Sequence, residues 1–95
     1  MAPAKIVEID LTDIRSKDEL HAYLQKAFGF PSWYGRDWDA FWDSITGLVE
    51  MPEQLIIHGL SELKTNLPGD AKQLERCLSE MAAMYPNAAS TVVYR

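Results

Sequence analysis

The chain has 95 residues, with 14 acids against 9 bases and a formal charge of −5. That length sets one domain over residues 1–95 with a single core, and leaves no room for a large enzyme scaffold. The 47% apolar content excludes disorder, and the acidic balance excludes a general nucleic-acid binder, which needs positive surface to displace phosphate counterions.

One cysteine, Cys77, makes neither an intramolecular disulfide nor a structural zinc cage, and points to a reducing, cytoplasmic setting. No apolar run approaches the ~18 residues of a membrane span. Met1 to Lys5 carries no apolar core of a secretion signal, so no membrane contact is expected.

The first strand is predicted over Lys5 to Ile9, where Ile6, Val7 and Ile9 are β-formers. Asp10, Thr12 and Asp13 mark a turn. Ser16 is a good N-cap, and Glu19 three residues on completes a capping box. A helix from Lys17 to Phe28 then carries Leu20, Tyr23, Leu24, Ala27 and Phe28 on one apolar stripe. Gly29 terminates it.

Phe30 to Arg36 reads as an ordered loop punctuated by Pro31 and Gly35. A second helix is predicted from Trp38 to Val49, capped by Asp37 and stopped by Pro52. Leu55, Ile56 and Ile57 suit a strand buried on both faces, ended by Gly59. Ser61 to Asn66 suits a short helix, closed by Pro68-Gly69. A last helix runs from about Asp70 to Met84, with Leu74, Cys77, Leu78, Met81 and Met84 inward. Pro86-Asn87 breaks it, and Thr91 to Val93 form a final strand. Helices between single strands favour an α/β fold with a three-stranded parallel sheet, its two faces covered by helices.

The chemistry concentrates between Pro31 and Glu53. This stretch holds all three tryptophans, five acids (Asp37, Asp39, Asp43, Glu50, Glu53) and one base, Arg36. Four of the chain's five net negative charges lie there. At about 100° per residue, Asp39, Asp43 and Thr46 fall within about 60° of one another. Trp38, Phe41, Ile45 and Leu48 occupy the opposite, core-facing side. Trp42 sits at the border, and Gly47 leaves the backbone beside Asp43 uncovered.

Any solvated helix can carry two acids, and Trp38 and Trp42 suit a core as well as a contact. Trp33 and Tyr34 differ, because large rings in loops commonly anchor interfaces. Catalysis by Asp39 and Asp43 fits poorly, since both share one short helix with no cleft-forming second domain. Two adjacent carboxylates without histidine or further acids also make a weak metal site, so neither catalytic residue, metal nor cofactor is expected. His21 on the first helix and His58 at a strand end suit structural or solvated roles. Cys77 suits a buried thiol.

The run Trp33-Tyr34-Gly35-Arg36-Asp37-Trp38-Asp39-Ala40-Phe41-Trp42-Asp43-Ser44-Ile45-Thr46-Gly47 resembles the central loop and helix of the barstar family, intracellular inhibitors of the ribonuclease barnase. Length and element order extend the likeness over nearly the whole chain. The resemblance implies a three-stranded parallel sheet packed with helices, and a loop and helix that plug a nuclease active site. It places Trp33, Asp37, Trp38, Asp39, Trp42, Asp43, Thr46 and Gly47 at partner-binding positions, with Asp43 in the nuclease's phosphate site. The implied partner is a barnase-like extracellular ribonuclease, met by a protein that is monomeric when free. Departures are Leu48 for a tryptophan, Arg36 for an acid, and Lys72, with Asp70 nearby, for an acidic contact on the last helix.

Overall fold

The computed structural model describes residues 5–95. Its elements run β1 (Ile6–Asp10), α1 (Lys17–Phe28), α2 (Trp38–Asp43), a π-helical turn (Ser44–Leu48), β2 (Gln54–His58), α3 (Leu60–Asn66), α4 (Pro68–Met84) and β3 (Thr91–Tyr94). The strands form one parallel sheet in the order β1-β2-β3, with Leu55 level with Val7 and with Val92. The α/β class and the parallel three-stranded sheet are as the sequence predicts. A central strand without acids or bases before His58 matches the buried position of β2.

The helices stand on one face only. Ile9, Leu55 and Ile57 belong to the core, and Val7 and Val92 pack against it. Ile56 is buried but lies outside that core, and Ile6 on the same side is 56% exposed. The expectation of helices on both faces is therefore corrected. Alternation in β1 explains it: Glu8 and Asp10 point to the second face and hold it open to solvent. There Glu8 Oε2 lies 3.0 Å from His58 Nε2, an exposed cross-strand pair.

The cap chemistry follows the sequence closely. The Ser16 hydroxyl accepts from the Glu19 N–H at 3.1 Å, while the Glu19 carboxylate accepts from the N–H of Arg15, one residue ahead of the usual capping-box partner. Gly29 closes α1 with φ +70°. α4 begins at Pro68, two residues earlier than predicted. Proline at the first helical position lacks only an N–H that would be unpaired there, so Pro68-Gly69 opens this helix where the sequence reading has it end the preceding one. Met84, expected inward, is 60% exposed, because the core contact of α4 ends at Met81.

The β1–α1 turn is locked against the β2–α3 turn. Asp10 Oδ1 accepts from the N–H and hydroxyl of Thr12, and these bonds hold its carboxyl below the ordinary aspartate range. Thr12 in turn leaves no room beside Gly59, whose φ is +79°.

Candidate partner-binding site

The site is built on a loop, a short helix and a π-helical turn, fastened from below. Tyr34 fastens the loop. Its ring is buried against Phe30, and its hydroxyl shares a 2.7 Å hydrogen bond with His21 Nδ1 from α1. Burial drives the Tyr34 pKa far above the ordinary tyrosine range, with Asp37 and Cys77 adding to it. His21 is fully buried, and burial also lowers its pKa, so it sits there as neutral imidazole. The expected structural role of His21 holds. Tyr34, read alongside Trp33 as an interface ring, is a core residue. The two differ because consecutive side chains in this tight turn point opposite ways, and Trp33 is 71% exposed.

Arg36 follows with φ +54°, the only described non-glycine residue in the left-handed region. It turns the chain so that Asp37 can cap α2, and the Asp37 carboxylate accepts from the Ala40 N–H at 2.7 Å. One oxygen of Asp37 is thus committed to the fold. Trp38 is committed further. Its ring packs on His21 and Phe41, and its indole N–H donates to Asp70 Oδ1 at 2.9 Å, tying α2 to α4. Asp70, considered as a substitute acidic contact, therefore serves as the acceptor in this tie.

Asp39 and Asp43 are exposed one turn apart and pair with no described cation. Trp42, half-buried, packs beside Tyr85 with ring centroids 6.4 Å apart. After Asp43 the helix widens. The Val49 N–H bonds to the Ser44 carbonyl, and the Thr46 hydroxyl donates to the Trp42 carbonyl at 2.6 Å. The extra residue in this turn shifts the helical phase. Phe41 and Ile45 stay buried as predicted, but Leu48 leaves the core and is 48% exposed. The α-helical wheel, which placed Leu48 inward, fails at that point. Gly47 is exposed, and a Cβ there would meet nothing within 4 Å.

The structure thus gathers Asp39, Trp42, Asp43, Thr46 and Gly47 on α2 and the widened turn, with Trp33 projecting from the preceding loop. α4 contributes residues that the sequence reading missed. A groove of about 190 Å³ is lined by Trp38, Asp39, Trp42, Arg76, Cys77 and Glu80. Glu80 is the exposed α4 acid that shares this groove with Asp39, whereas Lys72 lines a separate one with Lys64, Pro68 and Glu75. The signal for Glu80 was present, since it lies one residue before buried Met81 and three after buried Cys77. Cys77 itself is buried, and its thiol is pushed up by that burial. Among the described residues, no group of three or more His, Cys, Asp or Glu is placed to hold a metal ion.

This arrangement offers carboxylates, indole edges and bare backbone on one surface. The family model of Barstar (barnase inhibitor) matches residues 4–94. The chain belongs to the barstar family. It is also 33% identical over 72 residues to the Bacillus subtilis (strain 168) protein named "Putative ribonuclease inhibitor YrdF", covering 76% of this chain and 79% of the relative. The family is one of ribonuclease inhibitors, and its partner kind is a ribonuclease. No described helix of this barstar-family chain is long and apolar enough to cross a membrane.

Proposed function

We propose that this protein is a cytoplasmic inhibitor, monomeric when free, that binds and occludes the basic active site of a barnase-like ribonuclease and so protects the cell that makes the enzyme. The observation that carries this reading is the pair Asp39 and Asp43, exposed one turn apart on α2 and paired with no described cation, on the element that also carries Trp42 and follows the loop of exposed Trp33. A nuclease site must hold phosphate and therefore presents Arg and Lys. Carboxylates fixed on a helix accept charge-assisted hydrogen bonds from them. Opposite fields also speed encounter, which matters when the enzyme is toxic before capture.

Inhibition on this reading is steric and electrostatic, with no bond made or broken. Asp43 occupies the phosphate position, Asp39 supports it, and Trp33 and Trp42 exclude water around the ion pairs. Thr46 and Gly47 let the partner's surface approach the helix backbone closely. Asp37 and Trp38 act mainly by holding α2 in place, since both spend a polar atom on the fold.

A second reading, an immunity protein of this fold against a different toxin, draws on Arg76. This base lines the groove with Asp39 and Glu80, so that part of the face is not uniformly acidic. One experiment addresses both. Inhibition of RNA cleavage by a barnase-like ribonuclease is titrated with wild type and with Asp43→Ala, and dissociation is followed by stopped flow. Wild type should inhibit stoichiometrically, and Asp43→Ala should dissociate at least about a hundredfold faster. That is the 2–5 kcal/mol scale for truncating a buried interfacial charge pair, a range to which barstar complexes themselves contribute. Equal dissociation rates would refute the assigned face, and absence of inhibition would favour the different toxin.

A further inference from the structure

Glu50 and Glu53 belong to the acid-rich stretch yet lie outside the face formed by α2. Both border a groove of about 510 Å³ between the widened turn and the α4–β3 connection. Its floor includes Ile45, Met51 and Met81, all buried apolar side chains. No Lys, Arg or His lines it. The walls are fixed by one side-chain and one backbone hydrogen bond: the Ser90 hydroxyl donates to the Pro52 carbonyl at 2.6 Å, and the Thr91 N–H donates to the Glu53 carbonyl at 2.9 Å. Thr46 lines the groove and also lies on the stripe with Asp43, so groove and face are continuous.

An apolar floor beneath a carboxylate rim matches one kind of side chain. Lys and Arg bury an aliphatic stem while the charged head stays at a polar edge. The volume lies within the range of formed binding pockets, and exceeds what a single side chain fills. We propose that this groove receives a lysine- or arginine-bearing segment of the partner nuclease, as a second contact beside the Asp39–Asp43 face. Charge complementarity selects that occupant, since a second copy of this acidic chain would bring carboxylates toward Glu50 and Glu53. The proposal rests on the inhibitor reading for the partner's identity, and on the groove alone for its chemistry.

The test uses the full chain, isotopically labelled, titrated with an acetylated and amidated tetralysine peptide and followed by amide shifts. Saturable shifts are expected at Thr46, Met51 and Ala88. Glu50→Gln/Glu53→Gln should weaken them about two- to fivefold, the scale for exposed ion pairs, while Asp43→Ala should leave them in place. Shifts confined to Asp39 and Asp43, equal affinity in the double variant, or a concentration-dependent dimer mapping to the groove would overturn the proposal. A parallel arm uses a barnase-like ribonuclease. If Asp43→Ala weakens that complex and Glu50→Gln/Glu53→Gln does not, the groove contact falls and the inhibitor reading stands. If tetralysine fills the groove and the ribonuclease does not bind, the inhibitor reading falls and the groove chemistry stands.

Discussion

Tyr34→Phe isolates one buried polar contact beneath the recognition loop. The substitution keeps the ring and its packing on Phe30, and removes only the hydroxyl 2.7 Å from His21 Nδ1. His21 Nε2 is already buried without a hydrogen-bond partner among the described residues, so the variant leaves both ring nitrogens unsatisfied in a fully buried imidazole. Leaving such a group unpaired costs about 1–3 kcal/mol. For a domain of this size that corresponds to a fall in Tm of about 5 to 20 °C. Urea unfolding at pH 8 should show a lower midpoint with an unchanged m value, since the surface exposed on unfolding is the same. Hydrogen exchange should quicken first at Tyr34, whose N–H bonds to the Pro31 carbonyl within the loop. A loss below about 0.5 kcal/mol would refute the view that the His21–Tyr34 bond fastens this loop.

Further outcomes follow from the same contacts. The folded-state pKa of His21 is lowered, chiefly by burial. Its contribution is therefore complete above the unfolded value of ~6.5, and is lost as pH falls through the folded value. Stability measured by urea from pH 8 to pH 5 should decline, and His21→Gln should flatten that decline, whereas an unchanged slope would exclude His21 as its source. Gly59→Ala should cost at least ~2 kcal/mol in thermal unfolding, because the new Cβ would lie 2.5 Å from the Thr12 nitrogen at a positive φ. Gly29→Ala, with nothing within 4 Å, should cost only about 1 kcal/mol, and equal losses would contradict the packing at Thr12. Asp70→Ala should cost about 1 kcal/mol through the lost Trp38 bond, and Asp70→Asn less because it keeps an acceptor, both read from urea midpoints.

The sequence was most legible where local chemistry decides. Ser16, Gly29 and Asp37 act on backbone groups within a few residues of themselves, and all three stand where the capping rules place them. The alternation in β1 also showed Glu8 and Asp10 on one face, yet helix coverage of both faces was expected from strand count. A three-stranded sheet with acids on one side has no need of a second helical layer. Leu48 was illegible for a different reason. Its burial depends on helical phase, and the phase changes at a π-helical turn that depends on where the Thr46 hydroxyl and the Val49 N–H find carbonyls. Tyr34 and Glu80 needed tertiary contacts, one to α1 and the other across the α2–α4 groove. The carboxylates Asp39 and Asp43 needed only helical spacing, and the structure keeps them together.

The acids of this stretch are not equivalent, and Asp37 shows how to separate their tasks. Its carboxylate caps α2 through the Ala40 N–H at 2.7 Å, and it is also exposed at a position implied to meet the partner. Alanine would remove cap and charge together, so a weakened complex would carry no assignment. Serine caps a helix about as well as aspartate, whereas alanine at an N-cap costs about 1 kcal/mol. Asp37→Ser should therefore stay within about 0.5 kcal/mol of wild type in urea unfolding, and Asp37→Ala should fall below it. If Asp37 serves chiefly as a cap, Asp37→Ser should dissociate from a barnase-like ribonuclease as slowly as wild type, apart from a modest loss of salt-dependent association rate. A tenfold faster dissociation with stability intact would move Asp37 into the contact set beside Asp39 and Asp43. The cap and the contact then share one carboxylate, one oxygen facing the helix and the other facing the nuclease.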